Sequence, residues 1–245
     1  MTAPIQRVLV IDIGGTHIKL LATGHRKRIR LVSGPSLTAQ AMVAAVLGAT
    51  TEWRYDVVSI GYPGPVGADG PVTDPHNLAP GWIGFDFEKA LKRPVRVIND
   101  ASMQALGGYR GGRMLFLGLG TGLGAALVIQ GHLQPLELAH LPYRKRKAFE
   151  DYVGERCRLE CGQRRWRRYV FDVVARLMVA MQADSLLLGG GNARRMRRHL
   201  DRLPAGTRIG SNVDAFRGGF RLWQPAHERA QSSWPEPRTA EAPHA

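Results

Sequence analysis

The chain has 245 residues, of which 44% are hydrophobic, a composition typical of a soluble globular protein with one large domain or two modest lobes. No apolar run is long enough to span a bilayer, the N-terminal residues lack the apolar core of a signal peptide, and two cysteines do not suffice for a disulfide framework, so we expect a cytoplasmic protein. The net charge of +14 favours polyanionic partners such as nucleic acid, polyphosphate or a membrane surface, although a general bias towards arginine would give the same charge.

The first informative stretch is a predicted β-hairpin near the N-terminus. The apolar run Val8–Ile13, which contains Asp12, predicts one strand, and Ile18–Ala22 predicts its partner. The intervening turn, Gly14-Gly15-Thr16, would let backbone N–H groups approach a phosphate chain closely. Asp12 at the strand end would hold Mg²⁺, directly or through its waters. An ordinary tight hairpin remains the alternative interpretation.

The following elements alternate between apolar strands and amphipathic helices. The predicted strands are Arg28–Val32, Val57–Ile60, Val95–Ile98, Met114–Leu117, Ala125–Ile129 and Ser185–Leu188. The predicted helices are Ser36–Val46 with Ser36 as its cap, Phe85–Leu91, Ala101–Tyr109, Arg165–Met181 and a basic helix ending near Leu200. Five glycines and five prolines between Gly61 and Trp82 predict a long ordered loop.

Two further glycine-rich turns each follow a predicted strand. The segment Gly118–Gly124 could be taken for a dinucleotide-binding loop, but such a loop opens a helix, whereas Ala125–Ile129 predicts a strand. A hairpin that holds phosphate fits better, and the third turn is Gly189-Gly190-Gly191. Paired hairpins of this kind are typical of the sugar kinase, actin and heat-shock chaperone superfamily. We therefore predict an α/β protein with a two-lobed actin-like ATPase fold and a β-hairpin phosphate clip in each lobe.

This fold divides the chain into three predicted regions. Residues 1–98 would form an N-terminal lobe with the first clip. Residues 99–224 would form a C-terminal lobe with the second clip and the sugar site. From Pro225 the chain is rich in Pro, Glu, Ser and Ala, which predicts a disordered tail over residues 225–245.

Asn99-Asp100 lies where a predicted strand ends and a predicted helix begins. This position places the Asp100 carboxylate near a helix N-terminus. Phosphoryl transfer to a hydroxyl needs a carboxylate to accept the hydroxyl proton, so Asp100 is the candidate base. On spacing alone, a helix N-cap is the more common role of such an aspartate.

Three polar residues downstream suit a sugar. Glu137, His140 and Glu150 provide two carboxylates and an imidazole that could hydrogen-bond vicinal hydroxyls. A lone histidine is more often structural, and Glu150 could equally be a solvated charge among neighbouring cations.

These segments together resemble the ROK family of bacterial sugar kinases, particularly its polyphosphate glucokinase branch. They follow the family order over roughly residues 7–200, which makes chance agreement implausible. The matching segments are Asp12-Ile-Gly-Gly-Thr16, Gly61-Tyr-Pro-Gly64, Asn77-Leu-x-x-Gly-Trp82, Asn99-Asp-Ala101, Gly118–Gly124, Glu137-x-x-His140, Glu150-Asp-Tyr152 and Gly189–Gly191.

The resemblance implies transfer of a phosphoryl group from polyphosphate or ATP, with Mg²⁺, to the 6-hydroxyl of glucose or a related hexose. It implies Asp100 as the catalytic base. The implied sugar-binding residues are Gly64, Asn77, Asn99, Glu137, His140 and Glu150. The implied donor-binding residues are Asp12, which would also bind the metal, Gly14, Gly15, Thr16, Lys19, Gly120, Thr121, Gly122, Gly189 and Gly190. A homodimer is left open, and no specific nucleic acid is expected.

The chain departs from the family in its cysteines and near its C-terminus. Many ROK proteins carry a cysteine-rich zinc motif before the glutamate that corresponds to Glu150, but residues 141–149 contain no cysteine. Cys157 and Cys161 follow Glu150, and two thiols alone make a weak zinc site, so no zinc is expected. The stretch Val213–Trp223 departs most from the closing helix of the family.

Non-catalytic functions are the main alternative. A sugar-responsive repressor of the family would place a helix-turn-helix domain before the first strand, where only about six residues stand. A non-catalytic regulatory relative that binds sugar or a polyanion is the alternative function, and a basic, degenerate relative that binds nucleic acid without catalysis would be expected to lose its acids and clips. Asp12, Asp100, Glu137, His140 and Glu150 are nevertheless all present.

The identity of the donor depends on the distribution of basic residues. Between Arg144 and Arg168 the sequence has ten Lys or Arg and four acids. A long polyphosphate gains affinity from an extended basic track through counterion release, whereas a nucleotide needs only a few cations. The track therefore favours polyphosphate, although the basic segment Arg194–Arg198 is also consistent with a generally arginine-rich surface.

Overall fold

The computed structural model describes residues 6–211 and 213–231, which form two five-stranded sheets with helices packed around them. The strands are β1 (Val8–Ile13), β2 (His17–Ala22), β3 (Ile29–Val32), β4 (Val57–Tyr62), β5 (Val66–Gly67), β6 (Gly70–Pro71), β7 (Val95–Asn99), β8 (Arg113–Leu119), β9 (Leu123–Ile129), β10 (His132–Leu136), β11 (Pro142–Arg144), β12 (Lys147–Ala148), β13 (Ser185–Gly189) and β14 (Thr207–Ile209). The helices are α1 (Ala39–Ala49), α2 (Phe87–Leu91), α3 (Asp100–Gly108), α4 (Glu150–Val153), α5 (Glu155–Cys161), α6 (Gln163–Ala180), a 3-10 helix (Ala193–Arg202), α7 (Asp214–Arg221) and α8 (Ala226–Gln231). None of these described helices is long and apolar enough to cross a lipid bilayer.

The two large sheets share one strand arrangement. The first has the order β3-β2-β1-β4-β7 and the second β10-β9-β8-β13-β14. In each, an antiparallel hairpin (β1–β2 or β8–β9) continues into two parallel strands. This repetition, with a glycine-turn hairpin in each lobe, confirms the predicted two-lobed actin-like fold.

Strand register brings the predicted site segments to one edge of each sheet. In the first sheet Asp12 is opposite Gly61, and Tyr62 is opposite Asn99. In the second sheet Gly118 is opposite Gly189. Ligands of open α/β sheets bind at the carboxyl ends of parallel strands, and these are the ends that carry the three glycine turns and Asp100.

Each lobe has its own apolar core. The core of the C-terminal lobe lies between the second sheet and α6, whose predicted apolar face is buried through Trp166, Val170, Val173 and Leu177. Trp166 also satisfies its buried indole by donating to the Val153 carbonyl at 2.8 Å. Burial of a large apolar side chain contributes roughly 1.5–3 kcal/mol, so this face fixes the position of α6.

Helices α3 and α7 pack together between the two sheets by backbone contact. A Cβ atom at Gly107 would lie 1.7 Å from the Asp214 carbonyl oxygen, and one at Gly218 would lie 1.7 Å from the Met103 carbonyl oxygen. On its other side α7 contacts the first sheet, where the Ser59 hydroxyl donates to the Gly219 carbonyl at 2.6 Å. Val213–Trp223, the stretch that departs from the family pattern, therefore contains a helix that joins the lobes.

Several local predictions are corrected. Helix α1 begins at Ala39 and is capped by Thr38 rather than Ser36, because the Thr38 hydroxyl accepts from the Ala41 N–H. The predicted basic helix is a 3-10 helix, and the strands β5, β6, β10, β11, β12 and β14 were not predicted. The tail was predicted to be disordered from Pro225, but residues 226–231 form α8. The remaining tail, residues 232–245, lies outside the described residues.

Candidate active site

Asp12 and Lys19 form an ion pair across the first hairpin. They are opposite each other in the β1–β2 register, and Lys19 Nζ lies 2.9 Å from Asp12 Oδ2. The Asp12 side chain is only 10% exposed, so the ammonium group offsets much of the cost of burying the carboxylate. The pair is therefore a preformed feature of the first lobe.

Asn99, rather than Asp100, caps helix α3. Asn99 Oδ1 accepts from the Ser102 N–H at 3.1 Å, and Asn99 Nδ2 donates to the Gly64 carbonyl at 3.1 Å. The N-cap interpretation of Asp100 is therefore wrong. Asp100 is the first residue of the helix, and its Oδ1 accepts from the adjacent Ala101 N–H at 2.7 Å.

The environment of Asp100 raises the pKa of its carboxyl to about 7. Burial is the main cause, and the negative charge of Asp12 is the second. The Ala101 N–H and the Lys19 ammonium oppose the shift. Asp100 keeps some solvent access, yet protein surrounds its carboxyl closely enough to penalise the charged form. A carboxyl with such a pKa is suited to exchange protons near neutral pH.

The long loop after β4 is ordered and presents Asn77. Asp74 Oδ1 accepts from the N–H groups of Gly81 and Trp82, and the buried Trp82 indole donates to the Ala79 carbonyl. A Cβ at Gly15 would lie 3.2 Å from the Asn77 Cβ, so the loop packs directly on the first glycine turn. The predicted sugar-binding and donor-binding segments thus meet here.

The second glycine turn lies beneath Glu150. A Cβ at Gly122 would lie 2.3 Å from Glu150 Oε2, so the glycine leaves space for that carboxylate in its present position. The turn is closed by the Gly120 N–H, which donates to the Gly122 carbonyl at 3.2 Å. The first N–H of α5, from Glu155, donates to the carbonyls of Gly120 and Thr121 and fixes the turn to that helix.

Glu137, His140 and Glu150 lie together as predicted for a sugar site. His140 Nδ1 is 3.5 Å from Glu150 Oε1, and His140 Nε2 is 4.0 Å from Glu137 Oε1. The side chains of His140 and Glu137 are 73% and 64% exposed, against 35% for Glu150. These groups are accessible to a ligand and are not fixed by packing.

The acceptor cleft, as we name it, is a cavity of about 560 Å³ between the lobes. It brings together Asn77 and Gly15 of the first lobe with Thr121, Gly122 and Glu150 of the second. Lys147 and Arg156 also line it, and neither was predicted individually as a site residue. The cluster of basic residues within positions 144–158 is the sequence feature that could have identified them.

The donor cavity, a second cavity of about 290 Å³, contains Asp12, Lys19 and the third glycine turn. Gly190 has φ +79°, and a Cβ there would lie 2.4 Å from the Leu119 carbonyl oxygen, so the second and third turns are in backbone contact. The residues of this cavity that were not predicted are Gln104, Arg194, Gly210, Ser211 and Ala215. The Arg-rich segment after the third turn was the signal for Arg194.

The residues of the donor cavity fit Mg²⁺. Asp12 Oδ2 is bound to Lys19, whereas Oδ1 has no hydrogen-bond partner among the described residues. Magnesium is usually held by one or two carboxylates, several waters and substrate phosphates, which one free carboxylate oxygen beside a glycine turn can support. Residues 6–211 and 213–231 contain no group of three or more His, Cys, Asp or Glu arranged to hold a metal by themselves.

Two predicted donor residues, Gly14 and Thr16, make local contacts within the first glycine turn. The Gly14 N–H donates to the His17 carbonyl at 3.0 Å, which closes the first turn, and Thr16 Oγ1 lies 3.1 Å from His17 Nδ1.

Cys157 and Cys161 are free thiols on α5 with their sulfurs 3.3 Å apart. Burial, followed by the Cys161 contact, raises the pKa of Cys157 to about 12, which disfavours the thiolate that zinc requires. The absence of zinc stays a prediction.

Comparisons with known proteins are consistent with this geometry. A family model described as the ROK family matches residues 8–135, which include the first two glycine turns and Asp100. The bifunctional enzyme NanE/NanK of Brucella melitensis biotype 1 is 35% identical over 148 residues, covering 53% of this chain and 28% of that protein. The polyphosphate glucokinase of Mycobacterium leprae is 27% identical over 206 residues, covering 76% of this chain and 63% of that protein. The chain thus spans less than two thirds of the length of either relative.

A solved structure shares the fold over nearly the whole chain. The inorganic polyphosphate/ATP-glucomannokinase from Arthrobacter sp. strain KM superposes with a TM-score of 0.73 at 24% identity. The match covers 92% of this chain and 99% of that structure. At this identity the likeness shows the fold alone.

Proposed function

Since the chain belongs to the ROK family, we propose that it is a hexose kinase that transfers a phosphoryl group from polyphosphate or ATP to the 6-hydroxyl of glucose or a related hexose. The observation that carries this proposal is the state of Asp100. It is a helix-initiating carboxylate that is not used as the cap, its pKa is raised to about 7, and it lies close enough to Asp12 for the two charges to interact. A non-catalytic binding protein has no need for such a costly arrangement.

Asp100 acts as the general base. Its carboxylate takes the proton of the sugar hydroxyl while the hydroxyl oxygen forms a bond to the terminal phosphorus of the donor. The bridging P–O bond breaks, and the departing phosphate chain or nucleotide keeps the electron pair. Because Asp100 follows β7 and Asp12 lies near the end of β1, the base and the donor-binding carboxylate are held at the same edge of the sheet, on parallel strands separated by β4.

The residues of the donor cavity bind and orient the phosphates. Lys19 supplies a positive charge beside Asp12, and the glycine turn at Gly189–Gly191 allows close approach of a phosphate to the backbone. Mg²⁺ held at Asp12 would neutralise charge that develops on the transferred group.

The acceptor cleft binds the sugar between the lobes. Asn77 and Gly64 contribute from the first lobe, and Glu137, His140 and Glu150 contribute from the second. Closure on the sugar would bring the exposed His140 and Glu137 into contact with hydroxyls and exclude water, which otherwise competes as phosphoryl acceptor.

The experiment that tests this function is a donor-by-sugar activity matrix on purified protein with Mg²⁺. ATP and polyphosphate are each combined with glucose, mannose, fructose and N-acetylglucosamine, and the phosphorylated sugar is identified by its site of modification. We expect turnover with at least one donor on glucose or a close relative, at the 6-hydroxyl. Sugar binding without phosphorylation in any combination would instead identify a regulatory relative.

A further inference from the structure

The third glycine turn leads directly into a short and strongly basic 3-10 helix. The segment Ala193–Arg202 contains five arginines, one histidine and a single acid, Asp201. Within residues 6–211 and 213–231 none of these arginines forms an ion pair with a carboxylate. Their charges are therefore available to an external anion, which would release the counterions that they attract.

The 3-10 geometry arranges four of these arginines in two outward rows. Residues three apart lie above one another in a helix with three residues per turn. Ala193 and Met196 are buried, so their row faces the core. The exposed rows are Arg194 with Arg197 and Arg195 with Arg198.

The first row begins at the donor cavity. Arg194 lines this cavity together with Asp12 and Lys19, and Arg197 lies one turn further from it. The base of the helix is fixed, because the Asn192 N–H donates to the Leu119 carbonyl at 2.9 Å and Asn192 Nδ2 donates to Glu155 at 2.6 Å. The arginines are thus presented on a defined support rather than on a loose loop.

We propose that Arg197 and Arg198, beyond Arg194 at the cavity, bind the chain of a linear polyphosphate whose end occupies the donor cavity. This inference rests on the proposed function, in which that cavity holds the donor phosphates. A long polyphosphate carries charges past the cavity, whereas tripolyphosphate or the phosphates of ATP end within it. The helix therefore discriminates donors by length.

The basic track predicted from the sequence, residues 144–168, is less suited to this role. Arg144, Arg156 and Arg158 of the track already pair with Asp172, Glu160 and Glu155. Two basic residues of the track, Lys147 and Arg156, line the acceptor cleft rather than the donor cavity.

The two basic regions are distinguished by charge-matched double variants. Arg197→Gln with Arg198→Gln removes two exposed charges from the 3-10 helix, and Arg164→Gln with Arg168→Gln removes two exposed charges from α6 in the track. Binding of long-chain polyphosphate and of tripolyphosphate is measured in rising salt and without sugar, so that no turnover is needed. Circular dichroism checks that each variant is folded.

For the 3-10 helix variant we expect long-chain affinity at low salt to fall by about tenfold or more. The slope of log affinity against log salt should decrease in magnitude by roughly 1.4 to 1.8, about 0.7–0.9 for each lost phosphate contact. Tripolyphosphate affinity should change by less than about twofold, as should all affinities of the α6 variant. Equal losses in both variants, or none in the 3-10 helix variant, overturn the proposal.

Turnover of the wild-type protein separates this inference from the proposed function. If polyphosphate phosphorylates glucose but the 3-10 helix variant binds long chains normally, the donor assignment stands and the path along the helix is wrong. If only ATP supports turnover while long-chain binding still depends on Arg197 and Arg198, the helix binds polyphosphate but ATP is the phosphoryl donor.

Discussion

The donor cavity and the acceptor cleft differ in how rigidly their functional groups are held in place before a ligand binds. In the donor cavity Asp12 is nearly buried and paired with Lys19, and the glycine turns beside it are in backbone contact. Beside the acceptor cleft, His140 and Glu137 are mostly exposed, and His140 lies 3.5 Å from the cleft residue Glu150 and 4.0 Å from Glu137. The cleft is also about twice the volume, 560 Å³ against 290 Å³.

Under the proposed function, this difference separates the groups that act on the transferred phosphoryl and proton from those that recognise the sugar. Buried, paired groups retain strong electrostatic interactions, so their loss should be costly. Exposed groups exchange hydrogen bonds with water for hydrogen bonds with the sugar, so each contributes little. Mutations on the two sides should therefore differ in magnitude, and the following predictions test this from the largest effect to the smallest.

Asp100→Asn should reduce kcat by on the order of a hundredfold or more while sugar affinity is retained. Asparagine can hydrogen-bond the hydroxyl but cannot accept its proton, and loss of a general base has this magnitude. Steady-state kinetics together with calorimetric sugar binding measure both quantities.

Stability provides the control for Asp100→Asn. Because the pKa of Asp100 is raised from 3.8 to about 7 in the folded state, the fold loses stability progressively as the pH rises between these two values, and the full cost is present above about pH 7. The variant should therefore have a higher Tm than wild type at about pH 8, and the difference should shrink as the pH falls towards about 4. Near wild-type turnover would remove Asp100 from the role of base.

The wild-type enzyme should lose activity as the pH falls through about 7. Asp100 must be deprotonated to act, and burial and Asp12 raise its pKa to about 7, so kcat/KM at about pH 6 should be roughly one tenth of its plateau value. The pH profile is measured with saturating Mg²⁺, and the residual activity of Asp100→Asn should lack this limb. A flat profile down to about pH 5.5 contradicts the assignment.

Glu150→Gln should weaken sugar binding by about fivefold with little change in Tm, as expected for loss of one partly exposed hydrogen bond. Calorimetric titration with glucose measures the dissociation constant. Glu160→Gln is the matched control, because Glu160 lines the same cleft but pairs with Arg156. An unchanged constant in Glu150→Gln, or an equal change in both variants, would show that Glu150 does not contact the sugar.

The smallest effect is expected from zinc chelation. Activity should return fully when Mg²⁺ is resupplied after treatment with a strong chelator, because residues 141–149 offer no thiolate and Cys157 and Cys161 alone do not complete a tetrahedral site. Metal analysis of the purified protein accompanies the assay. Stoichiometric zinc with irreversible loss of fold would contradict this prediction.

Features that depend on short segments were predictable from the amino-acid sequence alone. The two hairpins and the three glycine turns follow from apolar runs interrupted by glycine, and α6 follows from a helical apolar period. These patterns report local backbone preference and the burial of one face, which need no knowledge of the rest of the fold. The resemblance to the ROK family rests on the same segments and agrees with the family match.

The place of Asp100 in helix α3 and its raised pKa, in contrast, were not predictable from the amino-acid sequence alone. Whether Asn99 or Asp100 caps α3 depends on a helix start that sequence patterns locate only to within a few residues. The raised pKa of Asp100 depends on Asp12, which is distant in sequence and is brought near by the pairing of β1, β4 and β7. No local sequence pattern indicates that Asp12 and Asp100 lie close together.

Tertiary packing also decided the helix that joins the lobes. Gly218 and Gly219 lower the intrinsic helix propensity of α7 by roughly 1 kcal/mol each. They nevertheless lie within a helix, because the absence of side chains lets α7 contact the α3 backbone and β1. Local propensity opposes this helix and close packing between the lobes stabilises it, so the local sequence does not predict that α7 joins them.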